Sequence, residues 1–308
     1  MADGTRMVSV GRHVLAATVF GAGEPAVVIE PSFGGAAEDW AKIASAIARQ
    51  ATVVTYDRAP YGDSSAARDH RTPDEIADDL DGLLDGLGVT GPLVLVGHSA
   101  GGLYVRAYAA AHLDRVAGMV LVESSHEGQR PVLDPLRSRR SRLGTALTVP
   151  SIMRESRTER RGGDRRSIIR EWRTFNRVTA GQPRLGPGAL GQLPLVVLTC
   201  AAGDPDVPLP VWQRWHGLHQ ELAGLSANSR HVVSASSQHY LNVGDQELVT
   251  GAITDVVRSA RTGLPLSELA GGPEPPAPSE PALAPESPEP PVTPGPAVTS
   301  DPAVADAE

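Results

Sequence analysis

Short apolar runs of strand length alternate with longer segments of helical spacing along most of the chain. Runs such as residues 27–29 and 93–96 have the continuous hydrophobicity of strands that are buried on both faces of a parallel sheet. Segments such as residues 39–48 carry apolar side chains three or four positions apart, as helices packed on one face do. The pattern therefore predicts an α/β protein with a mostly parallel sheet and covering helices. The predicted strands are residues 27–29, 52–56, 93–96, 116–122, 195–199 and 230–234, and the predicted helices are 39–48, 73–87, 103–111, 211–225 and 248–258.

Two stretches depart from this alternation. Between about residues 125 and 192 it stops, and an interruption of that length indicates a cap subdomain rather than a loop. Residues 264–308 are rich in Pro, Glu and Ala and poor in large apolar side chains, which predicts a disordered tail. The expected organisation is one domain over residues 1–263, with a cap at about 125–192, followed by the tail at 264–308.

The formal net charge of −8 belongs to the tail, which holds eight of the 36 acidic residues and none of the 28 basic ones. The rest of the chain is neutral, so nothing in the charge favours nucleic-acid binding. Cys200 is the single cysteine and allows neither an internal disulfide nor a thiolate metal site. The chain shows no signal-peptide pattern and no apolar run of membrane-spanning length. We therefore expect a cytoplasmic protein without a membrane span, a metal or a cofactor.

The strongest chemical signal is Gly97-His98-Ser99-Ala100-Gly101, between a predicted strand and a predicted helix. A G-x-S-x-G pattern in that context is a nucleophile elbow, in which a strained turn exposes the serine hydroxyl at a helix N-terminus. Ser99 is therefore the predicted nucleophile. The alternative is that this segment is a glycine-rich turn with no catalytic role. A serine hydroxyl needs a base to take its proton. In the order serine, acid, histidine that base follows the last strand, where His239 stands.

The acid of such a triad has three candidates. Glu123 follows the predicted strand 116–122, and Asp204 and Asp206 follow strand 195–199. All three come after strands at the edge where open α/β sheets place their sites. The two aspartates also fit simple turn chemistry, because Asp-Pro is a turn signal. A carboxylate directly after an interior strand is harder to explain that way, which favours Glu123 and leaves Asp204 as the alternative.

An acyl-transfer site also needs N–H donors directed at the developing oxyanion. The amide of Ala100, the residue after the nucleophile, is the first predicted donor. The second is the amide of Phe33, in the glycine-rich loop after strand 27–29, with the Ser32 hydroxyl as an alternative contributor.

Four motifs follow one another along the chain: Pro31-Ser32-Phe33-Gly34-Gly35, Tyr56-Asp57-Arg58-Ala59-Pro60-Tyr61-Gly62-Asp63-Ser64, Gly97-His98-Ser99-Ala100-Gly101-Gly102 and Gln238-His239-Tyr240. Together they resemble α/β-hydrolase fold proteins, over roughly residues 6–261. The resemblance implies an eight-stranded, mostly parallel sheet, a Ser-His-acid triad and a helical cap between strands six and seven. Many members of that family place the acid after strand seven, where Asp204 stands, and others after strand six, where Glu123 stands.

Serine at the elbow separates the chain from the haloalkane dehalogenases and epoxide hydrolases of this fold, which use aspartate there. It indicates attack on a small ester, thioester or lactone through an acyl-enzyme. A carboxylic ester hydrolase is the first interpretation. A perhydrolase or an aminopeptidase would use the same triad, and a non-catalytic or slow binding protein on the same fold is the alternative from another class.

The predicted cap contains many arginines and two aromatic residues. Trp172 and Phe175 are candidates for the lining of a substrate pocket, although their spacing equally suits the apolar stripe of a packed helix. The arginines could contact an anionic substrate group, but a solvated face is the simpler interpretation. They include Arg137, Arg139, Arg140, Arg142, Arg165 and Arg166.

Overall fold

The computed structural model describes residues 3–67, 71–132, 170, 171, 173–175, 177, 185–201, 209–236 and 239–269. All of them lie in Met1–Pro275, the first of the two compact units of the chain. The strands are β1 Asp3–Val10, β2 His13–Phe20, β3 Ala26–Glu30, β4 Val53–Tyr56, β5 Leu93–His98, β6 Val116–Val122, β7 Leu195–Thr199 and β8 Ser229–Val233. The helices are α1 Ala41–Ile47, α2 Pro73–Leu87, α3 Ala100–Ala111, α4 Leu209–Ala223, α5 Leu241–Gly244, α6 Gln246–Thr262 and α7 Leu266–Leu269, with 3₁₀ turns at Ala37–Trp40 and Leu113–Arg115.

The eight strands form one sheet in the order β1-β2-β4-β3-β5-β6-β7-β8. The pairs β1–β2 and β2–β4 are antiparallel, and the other pairs are parallel. His98 pairs with Val122, and Val122 with Leu198, so strands β5, β6 and β7 end side by side. This register brings the residues that follow them to one edge of the sheet.

Helices cover both faces of the sheet, because its central strands are apolar on both faces. One buried cluster joins the sheet to α2, α3 and the end of α4. A second joins the opposite face to α1 and α6. Strands β3 to β7 are fully buried apart from Ala117, as expected of a parallel sheet between two helical layers. The sheet and its helices make the α/β-hydrolase architecture, which confirms the predicted fold class.

Strands β1 and β2 are absent from the sequence-based prediction, which found only the longer apolar runs. They form a hairpin in which Val10 pairs with His13 across a turn at Gly11. Their burial is partial, and β1 is largely exposed. An edge hairpin of this kind mixes polar and apolar positions, so it lacks the continuous run that marked the interior strands.

Helix α2 illustrates how local sequence sets an element's ends. Thr72 and Glu75 form a capping box, and Pro73 occupies the first helical position. Gly88 closes the helix at a φ of 74°, a left-handed conformation that glycine adopts without a Cβ penalty. The predicted helix 73–87 is therefore found with both boundaries in place.

A short helix with two buried leucines, α7, follows Gly263, where the sequence analysis placed the start of the tail. Leu266 and Leu269 are 1% and 6% exposed, and the amide of Leu266 donates to the Asn228 side chain. Two leucines three positions apart are too short a pattern to mark a helix in sequence, but they are enough to cover an edge of the core. The predicted boundary is thus at least six residues early, and the predicted tail otherwise lies outside the described residues.

Truncation at two positions separates these boundaries. Ending the chain after Leu269 should leave thermal stability unchanged. Ending it after Gly263 should lower the free energy of unfolding by about 3–6 kcal/mol, because two buried leucines are lost. Urea unfolding of both truncated proteins measures the difference, and equal stabilities would contradict a structural role for α7.

Within the described part of the chain, no helix combines the length and hydrophobicity that crossing a bilayer requires.

Candidate active site

Ser99 occupies a strained turn between β5 and α3. Its φ and ψ are 52° and −117°, a conformation that non-glycine residues rarely adopt. Three backbone hydrogen bonds hold it there: Ser99 N–H donates to Val122 O at 3.0 Å, and Ser99 O accepts from the amides of Gly102 at 3.0 Å and Ser125 at 2.8 Å. The strand β6 and its following loop therefore fix the turn that presents the hydroxyl.

Glycines around the turn allow backbone segments to approach closely. A Cβ on Gly101 would lie 2.3 Å from Glu30 O and 2.7 Å from Pro31 O, and one on Gly102 would lie 2.0 Å from Ser124 Oγ. Gly101 thus brings the first turn of α3 against the loop that follows β3.

The Gly101→Ala change tests this contact. It should lower the free energy of unfolding by about 1–3 kcal/mol, because the new methyl group meets backbone atoms that cannot move aside cheaply. Gly251→Ala, on the exposed face of α6 with open space around it, is the matched control and should stabilise by about 0.5–1 kcal/mol. Chemical denaturation of both variants provides the measurement, and equal effects would contradict the packing argument.

His239 joins Ser99 to Glu123. Its Nε2 lies 3.0 Å from Ser99 Oγ, and its Nδ1 lies 3.0 Å from Glu123 Oε2. A carboxylate only accepts hydrogen bonds, so Nδ1 carries the proton and the lone pair of the neutral ring is at Nε2, facing the serine. The His239 side chain is 44% exposed, whereas that of Glu123 is 2% exposed.

Glu123 is held by both of its carboxylate oxygens. Oε2 accepts from His239, and Oε1 accepts the amide of Cys200 at 2.7 Å. Its backbone is in the left-handed region at a φ of 45°, which turns the chain sharply as β6 ends. Burial alone would raise the pKa of this carboxyl group. The hydrogen bond from His239 outweighs burial, together with the attraction that His239 and His219 exert when protonated and the hydrogen bond from the Cys200 amide. The pKa of Glu123 therefore falls to about 2.

The competing acids Asp204 and Asp206 lie outside the described residues. Cys200, which the sequence analysis did not assign to the site, contributes its backbone amide as a donor to Glu123. Burial and the adjacent Glu123 carboxylate raise the pKa of its thiol, so the thiol remains protonated.

The predicted oxyanion donors are on neighbouring segments. Ala100 is the first residue of α3, so its amide has no acceptor within the helix. Phe33 follows Ser32 in the loop that touches Gly101. Ser32 is 5% exposed, and its carbonyl accepts from the Gly35 amide at 3.1 Å. Ser32 is thus buried within its own loop.

An aromatic surface lies next to the elbow. The rings of Phe33 and Phe175 are 6.4 Å apart, and both pack on a cluster that includes Ala100, Leu103 and Tyr104. Phe175 is thereby connected to the elbow through the first turns of α3. Trp172 and the six cap arginines named above lie outside the described residues, as does most of the predicted cap.

Two buried histidines that the sequence analysis left without a role support the site. His98 Nε2 lies 3.1 Å from the carbonyl oxygen of His239 and donates to it, which holds the His239 backbone. His219 Nε2 donates in the same way to Ser124 O at 2.9 Å, behind Glu123. Burial lowers the pKa of His98 to about 3 and that of His219 to about 4, so both rings stay neutral. The signal for His219 was its position on the apolar face of α4, four residues after Trp215.

These two rings make stability depend on pH. In the unfolded chain histidine titrates near pH 6.5. Because His98 and His219 stay neutral when folded, the unfolded state binds more protons below that pH. The free energy of unfolding should be greatest above about pH 6.5 and fall toward pH 4, by up to about 1.4 kcal/mol per pH unit for each ring. Urea unfolding at several pH values measures it, His219→Gln should flatten the curve, and a flat wild-type curve from pH 7 to 5 would contradict it.

A buried arginine ties α3 to the loop after β6. Arg106 donates to Gly102 O at 3.0 Å, Ser124 Oγ at 2.9 Å and Ser125 O at 3.1 Å, and it pairs with Glu127 at 2.9 Å. The loop that begins at Glu123 is therefore fixed to the helix that begins beside Ser99.

No group of three or more His, Cys, Asp or Glu side chains suited to a metal ion occurs among the described residues.

Comparisons with known proteins agree with this architecture. A sequence profile of the alpha/beta hydrolase fold matches residues 25–159. The uncharacterized protein YqjL of Bacillus subtilis is 26% identical over 233 residues, 75% of this chain and 82% of YqjL. A thermophilic esterase from Thermogutta terrifontis superposes with a TM-score of 0.62 at 21% identity, covering 84% of this chain and 99% of the esterase. An enol-lactonase from Burkholderia xenovorans superposes with a TM-score of 0.64 at 21% identity, covering 82% of this chain and all of the lactonase (100%). The sheet order, the elbow and these similarities show that the chain has the α/β-hydrolase fold.

Proposed function

We propose that this protein is a serine hydrolase that cleaves a small ester, thioester or lactone through an acyl-enzyme on Ser99. The observation that carries the proposal is the hydrogen-bonded series from Ser99 through His239 to Glu123, with both links at 3.0 Å. These distances are within the range in which a base takes a proton from a nucleophile.

In the first half of the reaction, His239 Nε2 takes the proton of Ser99 while Oγ attacks the acyl carbon. The carbonyl oxygen becomes an oxyanion, for which the amides of Ala100 and Phe33 are the proposed donors. Collapse of this intermediate breaks the bond to the leaving group, which takes the proton from His239. In the second half, His239 deprotonates a water molecule that attacks the acyl-enzyme, and Ser99 regains its proton as the acid is released.

Glu123 supports both halves without changing its protonation state. Its low pKa keeps it ionised at neutral pH, so it stabilises the imidazolium that forms on His239. Its bond to the Cys200 amide fixes the carboxylate plane and, through it, the orientation of the ring.

The substrate class rests on the surroundings of Ser99. Phe33 and Phe175, which are partly buried against α3, offer an aromatic, apolar surface beside the nucleophile. That surface suits an uncharged acyl group better than an ionic one. The esterase and enol-lactonase that share the fold make esters and lactones the first compounds to try.

Labelling with a fluorophosphonate probe tests the proposal directly. The intact protein should form one covalent adduct that peptide mapping places on Ser99, and it should hydrolyse members of a panel of p-nitrophenyl esters and lactones. Heat-denatured protein is the control for non-specific reaction. Absence of both labelling and hydrolysis would favour the alternative, a binding protein that has kept the fold without its chemistry.

A further inference from the structure

A buried charged cluster lies behind the loop that contains Phe33. Arg58 and Glu30 are 1% and 0% exposed, and Glu171, from the connection between β6 and β7, is 6% exposed. Around them stand three tyrosine hydroxyls. The cluster consists of Glu30, Tyr56, Arg58, Tyr61, Tyr104 and Glu171.

Arg58 connects two carboxylates to the backbone of the Phe33 loop. Its guanidinium pairs with Glu30 and donates to Glu171 Oε1 from Nε at 3.2 Å and from Nη2 at 2.9 Å. It also donates to Pro31 O at 3.1 Å and to Ser32 O at 3.3 Å. These carbonyls belong to the two residues that precede Phe33.

The bond to Ser32 O has a geometric consequence. Ser32 C=O and Phe33 N–H belong to one planar peptide unit, in which the two groups point in opposite directions. Whatever holds the carbonyl toward Arg58 therefore holds the Phe33 amide away from it. Together with the Gly35 amide, which donates to the same carbonyl at 3.1 Å, Arg58 thus sets the direction of a donor that the proposed mechanism assigns to the oxyanion.

Glu171 in turn fixes Arg58. Its Oε1 accepts from Arg58 and from Tyr104 OH at 3.0 Å, and its Oε2 accepts from Tyr61 OH. The Arg58 guanidinium also lies over the rings of Tyr61 and Tyr104, at 5.3 and 4.8 Å from their centroids. With Glu171 in place, the planar fork of Arg58 has partners that leave it one orientation.

The same segment reaches the loop a second time. Phe175, four residues after Glu171 and so on the same helical face, packs against the ring of Phe33. Glu171 acts on the carbonyl side of the loop and Phe175 on the side chain of Phe33. If Glu171 only anchored the segment to the domain, one of these two contacts would be enough. An apolar side chain at position 171 would also do so without burying a second carboxylate beside a single arginine.

We propose that Glu171 is a positioning residue for catalysis: through Arg58 it sets the Ser32–Phe33 peptide plane and directs the Phe33 amide toward the oxyanion. This inference rests on the proposed function, since it assumes acyl transfer at Ser99. It adds to that proposal a residue some 70 positions from the elbow that touches neither the substrate nor the triad.

The test compares Glu171→Gln with Arg173→Gln, an exposed position on the same segment. The first change keeps the shape but removes one of the two carboxylate charges that hold Arg58, the other being that of Glu30. We expect kcat on a p-nitrophenyl ester, expressed per fluorophosphonate-reactive site, to fall about 10- to 100-fold with KM little changed. Arg173→Gln should match the wild type.

A second readout isolates the oxyanion. Ser99 Oγ adds to the carbonyl carbon of a trifluoromethyl ketone, its proton passes to His239 Nε2, and the ketone oxygen becomes an oxyanion at the proposed donors. The corresponding methyl ketone binds without this addition and mimics the ground state. Glu171→Gln should weaken the binding of the trifluoromethyl ketone by the same factor by which it lowers kcat, and it should leave the affinity for the methyl ketone unchanged. Tyr104→Phe, which removes one donor to Glu171 and keeps the ring over Arg58, should show a smaller loss of the same kind. If Glu171→Gln does not fold, the Tyr104→Phe variant tests the positioning role of Glu171 in its place.

The outcomes are separable. A lower melting temperature with unchanged kcat per active site and unchanged ketone binding would make Glu171 a structural anchor and overturn the inference. A wild-type protein without labelling at Ser99 and without hydrolysis would overturn the proposed function itself, and this inference with it. Parallel losses in kcat and trifluoromethyl ketone affinity would support both.

Discussion

Replacing Ser99 with alanine should lower kcat for a p-nitrophenyl ester by about 10⁴- to 10⁶-fold and abolish fluorophosphonate labelling. No other described side chain stands 3.0 Å from Nε2 of His239 as Ser99 does. Without the hydroxyl the protein retains only its donors and binding contacts, which give a small residual rate.

The fold should survive this change. Alanine keeps the Cβ atom, so the strain at a φ of 52° is unaltered, and the Ser99 side chain caps no helix amide. Circular dichroism and thermal unfolding should therefore match the wild type. Ser9→Ala, on the exposed strand β1, is the matched serine control and should retain full activity. Fluorophosphonate labelling that persists in Ser99→Ala would show that the reactive nucleophile is a residue other than Ser99.

The second large effect is expected from Glu123→Gln, with a loss in kcat of about 10³- to 10⁴-fold. The glutamine amide cannot stabilise the imidazolium on His239. When the glutamine NH₂ group faces Nδ1, it donates a hydrogen bond to that nitrogen, and the ring proton must then be on Nε2. A protonated Nε2 cannot accept the proton of Ser99. The Cys200 amide can still bond to the side-chain oxygen, so the loop after β6 should keep its shape.

Asp204→Asn is the matched control for that loss. It removes the same kind of charge from the rival position, and we expect kcat within a few-fold of the wild type, as for Asp206→Asn. Steady-state kinetics on one ester, with active sites counted by fluorophosphonate, compare the three variants. If Asp204→Asn alone lost most of kcat, Glu123 would be a structural carboxylate and the acid would follow strand β7.

The interior strands and the elbow were predictable from sequence because each is a local signal. Continuous apolar runs mark strands buried on both faces, and Gly97 to Gly101 combine a motif with the strand and helix that give it meaning. The hairpin β1–β2 and helix α7 were missed because edge elements are partly exposed and short. Their stability comes from pairing with β4 and from covering the core, which no local pattern records.

The order of the candidate residues was also readable, since Ser99, Glu123 and His239 follow three different strands. Their distances were not. Glu123 approaches His239 because the β6 and β7 ends are in register and because its backbone enters the left-handed region. Nothing in the residues around Glu123 or Asp204 specifies such a conformation, so the sequence favoured Glu123 but left Asp204 as an alternative.

By itself, the sequence determined an α/β chain of the hydrolase type, a serine at the elbow and a histidine after the last strand, because hydrophobic periodicity and turn chemistry act over a few residues. The tertiary structure alone placed Glu123 within hydrogen-bond reach of His239, buried neutral His98 and His219 behind the site, and gathered Glu30, Arg58 and Glu171 behind the Phe33 loop. Burial and the pairing of charges are properties of neighbours in space. Arg58 and Glu171 are 113 residues apart, and only the fold makes them partners.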